Sequence, residues 1–157
     1  IKQFKNFENS QKSKKIFPVN KILGAIFLAE KKRFEKIGMF DEQFFFYWED
    51  VDLCRAIKKN NFKIYLNMSA NANHIGEKSV KENLKSFIIR KVYFKYGELI
   101  FQLKYNKLKK IKIIREPIKF FFLMIFFSLT FEFKKAFESL CFIYAIAKFL
   151  LFFKKKE

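Results

Sequence analysis

GAIFLAEKKRFEKIGMFDEQFFFYWEDVDLCRAIKKNNFKIYLNMSANANHIG, residues 24–76, is the stretch on which the reading of this chain turns. Phe34 and Ile37 lie three apart in a charged segment, which predicts a short helix over residues 30–37 with Gly38 just past its end. Residues 39–47 are rich in aromatics and lack helical spacing, so they read as a loop. Val51, Cys54 and Ile57 then recur every three residues, with Leu53 four before Ile57, and predict a helix over about residues 49–59. Its first turn carries Glu49, Asp50 and Asp52 and its last turn Lys58 and Lys59, the order a helix dipole favours. Asn60 and Asn61 stop it. Phe62, Ile64 and Leu66 alternate as a short strand that leads into a polar loop holding the only histidine, His74. Upstream, residues 16–28 alternate around Pro18 and Gly24 and read as a strand entering a tight bend.

Within this stretch the residues suited to chemistry are the cluster Trp48-Glu49-Asp50-Val51-Asp52 and His74. A carboxylate at a helix start, behind Phe44, Phe45, Phe46, Tyr47 and Trp48, is partly desolvated and faces rings on which a sugar can stack. One well-placed carboxylate is what deprotonation of an attacking hydroxyl requires. Acidic first turns also arise from capping and dipole effects alone. An isolated histidine is more often structural than a ligand.

The order of these features resembles the C-terminal catalytic segment of family 2 glycosyltransferases, in particular the rhamnosyltransferase-like and galactofuranosyltransferase-like subgroup. The matching pieces are the Gly24-Ala25 turn, the Phe34/Gly38 helix, Phe40-Asp41-Glu42, the aromatic-Glu49-Asp50-Val51-Asp52-Leu53-Cys54 box, the Asn61-Phe62-Lys63-Ile64 strand and His74. About a third of the chain is covered. The resemblance implies an α/β fold, the acceptor-side half of a GT-A glycosyltransferase domain. It implies inverting transfer from a nucleotide-diphosphate sugar, with Asp50 as general base, Glu49 and Trp48 as acceptor contacts, and Gly24 and Ala25 allowing close backbone approach. His74 would join an upstream Asp-x-Asp in holding Mg²⁺ or Mn²⁺ under the diphosphate. No Asp-x-Asp precedes Gly24, so the donor-binding half is expected elsewhere, in cis or in trans, and the chain alone is expected to be inactive.

The remainder reads differently. The net charge of +18 comes from 29 lysines and four arginines against 15 acidic residues. Lys, Phe, Ile and Asn share A/T-rich codons, which makes a solvated lysine surface the plain explanation for residues 1–74. After His74 the lysines alternate with apolar runs, at 120–131 and 140–153, each too short for the roughly 20 residues a spanning helix needs. Residues 1–80 are therefore expected to hold the catalytic portion and 81–157 a basic, amphipathic or hydrophobic helical tail. That tail would lie on the anionic cytoplasmic face of the membrane, near a glycan or lipid-linked acceptor of the cell envelope. A buried helix pair is the competing reading of the two apolar runs. Arg90 and Tyr93 fit a surface helix better than a substrate role. Cys54 and Cys141 match no metal or redox spacing.

Three other functions compete for the same residues. A nucleic-acid-binding module fits the pI of about 9.9, but the cations are mostly Lys rather than the Arg favoured at base edges, and no nucleic acid is expected. A glycosidase needs carboxyls facing each other across about 5–10 Å, whereas Glu49 and Asp50 are adjacent on a helix and diverge. An inert membrane-anchoring fragment is the remaining alternative.

Overall fold

The computed structural model describes residues 16–24, 26–72 and 83–154. In chain order these form β1 (Ile16–Val19), α1 (Lys31–Lys36), α2 (Glu49–Lys59), β2 (Ile64–Asn67), α3 (Leu84–Lys104), α4 (Lys110–Leu129) and α5 (Phe133–Lys154). Of the expected α/β class the coarse part holds: the described residues combine helix and strand but are mostly helical, and their strands form one two-stranded sheet. The helical tail is present. Two compact units result, residues 1–40 with 50–75, and residues 41–49 with 76–157.

In the first unit, β1 and β2 pair antiparallel, with Phe17 opposite Leu66 and Val19 opposite Ile64. The strand expected over 16–28 is shorter than its alternation suggested. With a two-stranded sheet, nothing among the described residues pairs beyond Val19, and Leu23, Ile26 and Leu28 are left exposed. Pro18 is tolerated because β1 is an edge strand. Phe17, Leu53, Cys54 and Ile64 form the buried centre. The Ile22 amide donates to Cys54 Sγ at 3.4 Å. Phe27, Phe34 and Phe40 form a three-ring cluster with centroids 5.5–6.1 Å apart.

Four helices end the same way. Past α1, Gly38 adopts φ 89°, its amide donates to Glu35 O, and the Met39 amide donates to Phe34 O. Past α2, Asn61 (φ 58°) and Phe62 donate to Lys58 O and Ile57 O. Past α3, Asn106 (φ 54°) and Lys107 donate to Leu103 O and Gln102 O. Past α4, Phe131 (φ 59°) and Glu132 donate to Ser128 O and Phe127 O. Each pair satisfies carbonyls that the helix leaves without a partner, through one left-handed residue. Glycine and asparagine tolerate that conformation; phenylalanine does not.

In the second unit α5 packs against both α3 and α4. Small residues Ala136, Ser139, Cys141 and Ala145 let the backbones approach, while Ile146 and Phe149, like Val92, Leu99 and Ile100 of α3, are buried, and the Phe149 ring meets Tyr96 of α3 at 6.3 Å. The three-residue connection 130–132 folds α5 back along α4, bringing Phe120 and Phe142 to 5.0 Å. Helix α3 starts on a reciprocal cap: Asn83 Oδ1 accepts the Ser86 amide at 2.8 Å, and Ser86 Oγ accepts the Asn83 amide.

Helix α4 has no buried residue. Charges tie it to α3 instead. The Lys95 ammonium, 6% exposed, lies 2.8 Å from Glu98 and 2.5 Å from Glu116, and Lys112 reaches Glu98 at 2.8 Å and Gln102 at 2.9 Å. Burial pushes the Glu98 carboxyl up, but Lys112 and Lys95 outweigh it and hold it below the ordinary 4.5. Burial pulls the Lys112 ammonium down, yet Glu98 and Glu116 hold it above the ordinary 10.5.

Two outcomes follow from this packing. Because Phe131 is exposed and left-handed, Phe131→Gly is expected to stabilise the second unit by about 1 kcal/mol, read as a higher urea midpoint at constant slope. A carboxyl held low stabilises the fold above its unfolded pKa and loses that contribution as pH falls through its folded value; an ammonium held high stabilises it below its unfolded pKa and loses that as pH rises through its folded value. Thermal stability is therefore expected to be highest between these limits, falling on the acid side below about pH 4.5 and on the alkaline side above about pH 10.5. Glu98→Gln should flatten the acid limb; an acid limb of undiminished size would reject Glu98 as its source.

Candidate functional site

Each member of the predicted constellation has a definite place or lies outside the described residues. Ala25 and His74 are outside them, and so is any convergence of Asp50 and His74 on one cleft. Gly24 and Asp50 belong to the first unit, Trp48 and Glu49 to the second.

In the first unit the structure joins Gly24 to Asp50 across 26 residues of sequence. The Gly24 amide donates to Asp50 Oδ2 at 3.2 Å, and the Val51 amide to Oδ1 at 2.7 Å. A Cβ placed on Gly24 would meet the Asp50 Cβ at 3.2 Å, closer than nearly all such contacts, so glycine suits the position. Both carboxylate oxygens are thus oriented by backbone N–H groups, and each keeps a second lone-pair direction for an incoming donor. Asp52, two residues on, is 3% exposed and lies inside the unit, not on a substrate face.

In the second unit Trp48 sits on a notch in α3. Phe94, Gly97 and Phe101 fall at i, i+3 and i+7 and share one helix face. The indole Nε1 donates to the Phe94 carbonyl at 3.0 Å, and the ring packs 6.0 Å from Phe94 and 5.2 Å from Phe101. A Cβ on Gly97 would stand 3.0 Å from Trp48 Cδ1 and 3.4 Å from the Tyr47 carbonyl. Reaching this seat takes two successive left-handed residues, Tyr47 at φ 65° and Trp48 at φ 72°, each costing about 1–3 kcal/mol in such bulky residues. Directly after this strained corner stands Glu49, whose Oε2 is buried and has no hydrogen-bond partner among the described residues. A buried acceptor without a donor is costly unless something else supplies one.

Sequence reasoning missed Gly97, which lies 49 residues from Trp48. The i, i+3, i+7 spacing of Phe94, Gly97 and Phe101 was the available signal. Tyr93 is engaged structurally: Phe45 packs at 4.9 Å, and Lys148 donates to its hydroxyl at 3.0 Å. Trp48 also lines a cavity of about 660 Å³ in the second unit, with Phe101, Gln102 and several cations.

The metal expectation has less behind it. No group of three His, Cys, Asp or Glu among the described residues is placed to hold a metal ion, and the one ligand expected from this chain, His74, is outside them. Nothing matches this chain among family models, curated proteins or solved structures.

Proposed function

We propose that this chain is the acceptor-binding and catalytic-base portion of an inverting, nucleotide-sugar-dependent glycosyltransferase of the family 2, GT-A type. Its product would belong to cell-envelope polysaccharide or glycolipid synthesis. The observation that carries the reading is the Gly24–Asp50 hydrogen bond, which links two residues chosen independently of any structure as members of one site. The donor-less Glu49 oxygen adds to it, since an acceptor hydroxyl would supply the missing proton donor. Exposed Leu23, Ile26 and Leu28 support a further protein surface over this unit.

In the proposed reaction the acceptor hydroxyl gives its proton to the Asp50 carboxylate as its oxygen forms a bond to the anomeric carbon. The bond from that carbon to the nucleoside diphosphate breaks with inversion, and the diphosphate leaves with the electron pair. Asp50, held by the Gly24 and Val51 amides, is a base of fixed direction. By the resemblance, Glu49 and Trp48 would be the acceptor contacts.

The reading includes a membrane surface on the cytoplasmic side as partner. No described helix is long and apolar enough to cross a membrane. On α4, however, Ile111, Ile114, Ile118, Phe122, Ile125 and Leu129 are all exposed, and their spacing of three and four places them on one stripe. Exposed lysines of the same unit are suited to anionic headgroups.

In the complete transferase, Asp50→Asn is expected to lower turnover by roughly 10²–10⁴-fold while donor binding is unchanged; turnover at the unsubstituted rate would exclude Asp50 as the base. Replacing Ile118 and Phe122 together by Asp is expected to abolish binding to phosphatidylglycerol-containing vesicles at high salt. Retained binding by that variant would remove the α4 stripe from the membrane reading.

A further inference from the structure

The cavity in the second unit is lined by Lys107, Lys109, Lys112, Arg115 and Lys119, with Glu116 as its one carboxylate and Trp48, Phe101 and Ile111 as its apolar wall. Glu116 is already matched, by Lys95 at 2.5 Å and Lys112 at 3.3 Å. The other four cations form no ion pair with a carboxylate among the described residues. Three of the cations that line this space, Lys112, Arg115 and Lys119, follow one another at i, i+3 and i+7 on α4, so their like charges repel along one face.

Their position is unfavourable for a second reason. Lys109 is the N-cap of α4 and makes no side-chain cap, and Lys110 and Lys112 follow in a first turn without acidic residues. Cations at a helix start oppose the dipole, and uncapped amides there lack acceptors. A solvated lysine surface would have no reason to concentrate charge around one concave space at the end of a helix that disfavours it. An anion in the cavity would relieve the repulsion and satisfy the dipole, and Arg115 would offer a planar fork to its oxygens.

We infer that this cavity is a binding site for a phosphate-bearing polyanion, a diphosphate in chemical class, whose attached group lies against Trp48 and Phe101. The volume of about 660 Å³ exceeds what one phosphate fills. The site stands on the cavity and its charges and does not depend on the transferase reading. Two sources share the chemistry. A lipid headgroup would fit because Arg115 and Lys119 lie within about a quarter turn of the apolar stripe on α4; a soluble diphosphate would fit the same cations.

Trp48 is the only tryptophan and lines the cavity, so its emission reports occupancy directly. Inorganic pyrophosphate titrated into the whole 157-residue chain is expected to shift that emission saturably. The paired variants Arg115→Gln with Lys119→Gln, and Lys107→Gln with Lys109→Gln, are each expected to raise the Kd by roughly tenfold or more, with unchanged circular dichroism. Lys31→Gln with Lys32→Gln, in the first unit, should leave the Kd unaltered. Pyrophosphate binding lost with vesicles carrying a diphosphate lipid but kept with phosphatidylglycerol vesicles assigns the site to a lipid-borne diphosphate; binding kept with both assigns it to a soluble ligand, and binding lost equally with both, a general effect of an anionic surface, would overturn the site. An emission that does not saturate, or a Lys31/Lys32 variant weakened as much as the cavity variants, would overturn the site.

Discussion

Enclosure of the Lys95 ammonium between Glu98 and Glu116 is the constraint on which the second unit depends. Buried ion pairs often contribute little net stability compared with an apolar replacement, but breaking one leaves an uncompensated charge at about 3–5 kcal/mol. That asymmetry fixes the rotation of α4. Turned by one residue, the helix would withdraw Glu116 from Lys95 and Lys112 from Glu98, and would also lift half-buried Phe120, with Leu123 and Phe127, away from α5. The ion pairs and the half-buried face of Ile113, Phe120, Leu123 and Phe127 agree on one orientation, which leaves the opposite apolar residues of α4 exposed.

The two apolar runs of the tail look alike in sequence, yet they end in different environments. The run on α5 carries buried Cys141, Ala145, Ile146 and Phe149 and is a core helix. The run on α4 buries nothing completely. Length and hydropathy could not separate them, because both runs lack a broad polar face. Small side chains at 136, 139, 141 and 145 were the legible difference, since close helix packing needs them. Burial thus separates the two runs: α5 is a core helix, whereas α4 keeps an exposed apolar stripe.

Helix ends were legible where the chemistry is local. Gly38 and Asn61 marked the ends of α1 and α2 because those residues accept a left-handed backbone. Phe131 carried no such signal; its conformation is imposed by the tight return from α4 to α5. The strand over Ile64–Asn67 followed from alternation, whereas alternation over 16–28 overreached, because period two says nothing about whether a partner strand is present. Within the site, Gly24 and Asp50 could be linked only through the resemblance of the whole segment. Neither residue alone shows that a glycine amide will meet a carboxylate 26 positions away.

The aromatic run before the acidic box illustrates how such a site is paid for by its surroundings. Tyr47 and Trp48 both hold positive φ, a conformation that bulky residues adopt only when their neighbours over-determine it. Gly97 supplies that determination by omission, since any side chain there would stand within 3.0 Å of the indole. The bond from Nε1 to the Phe94 carbonyl then uses the one polar atom of the ring, and burial against Phe94 and Phe101 offsets the backbone strain. Glu49 is left with a buried oxygen that has no hydrogen-bond partner among the described residues, and a buried acceptor in that state is costly until a donor meets it.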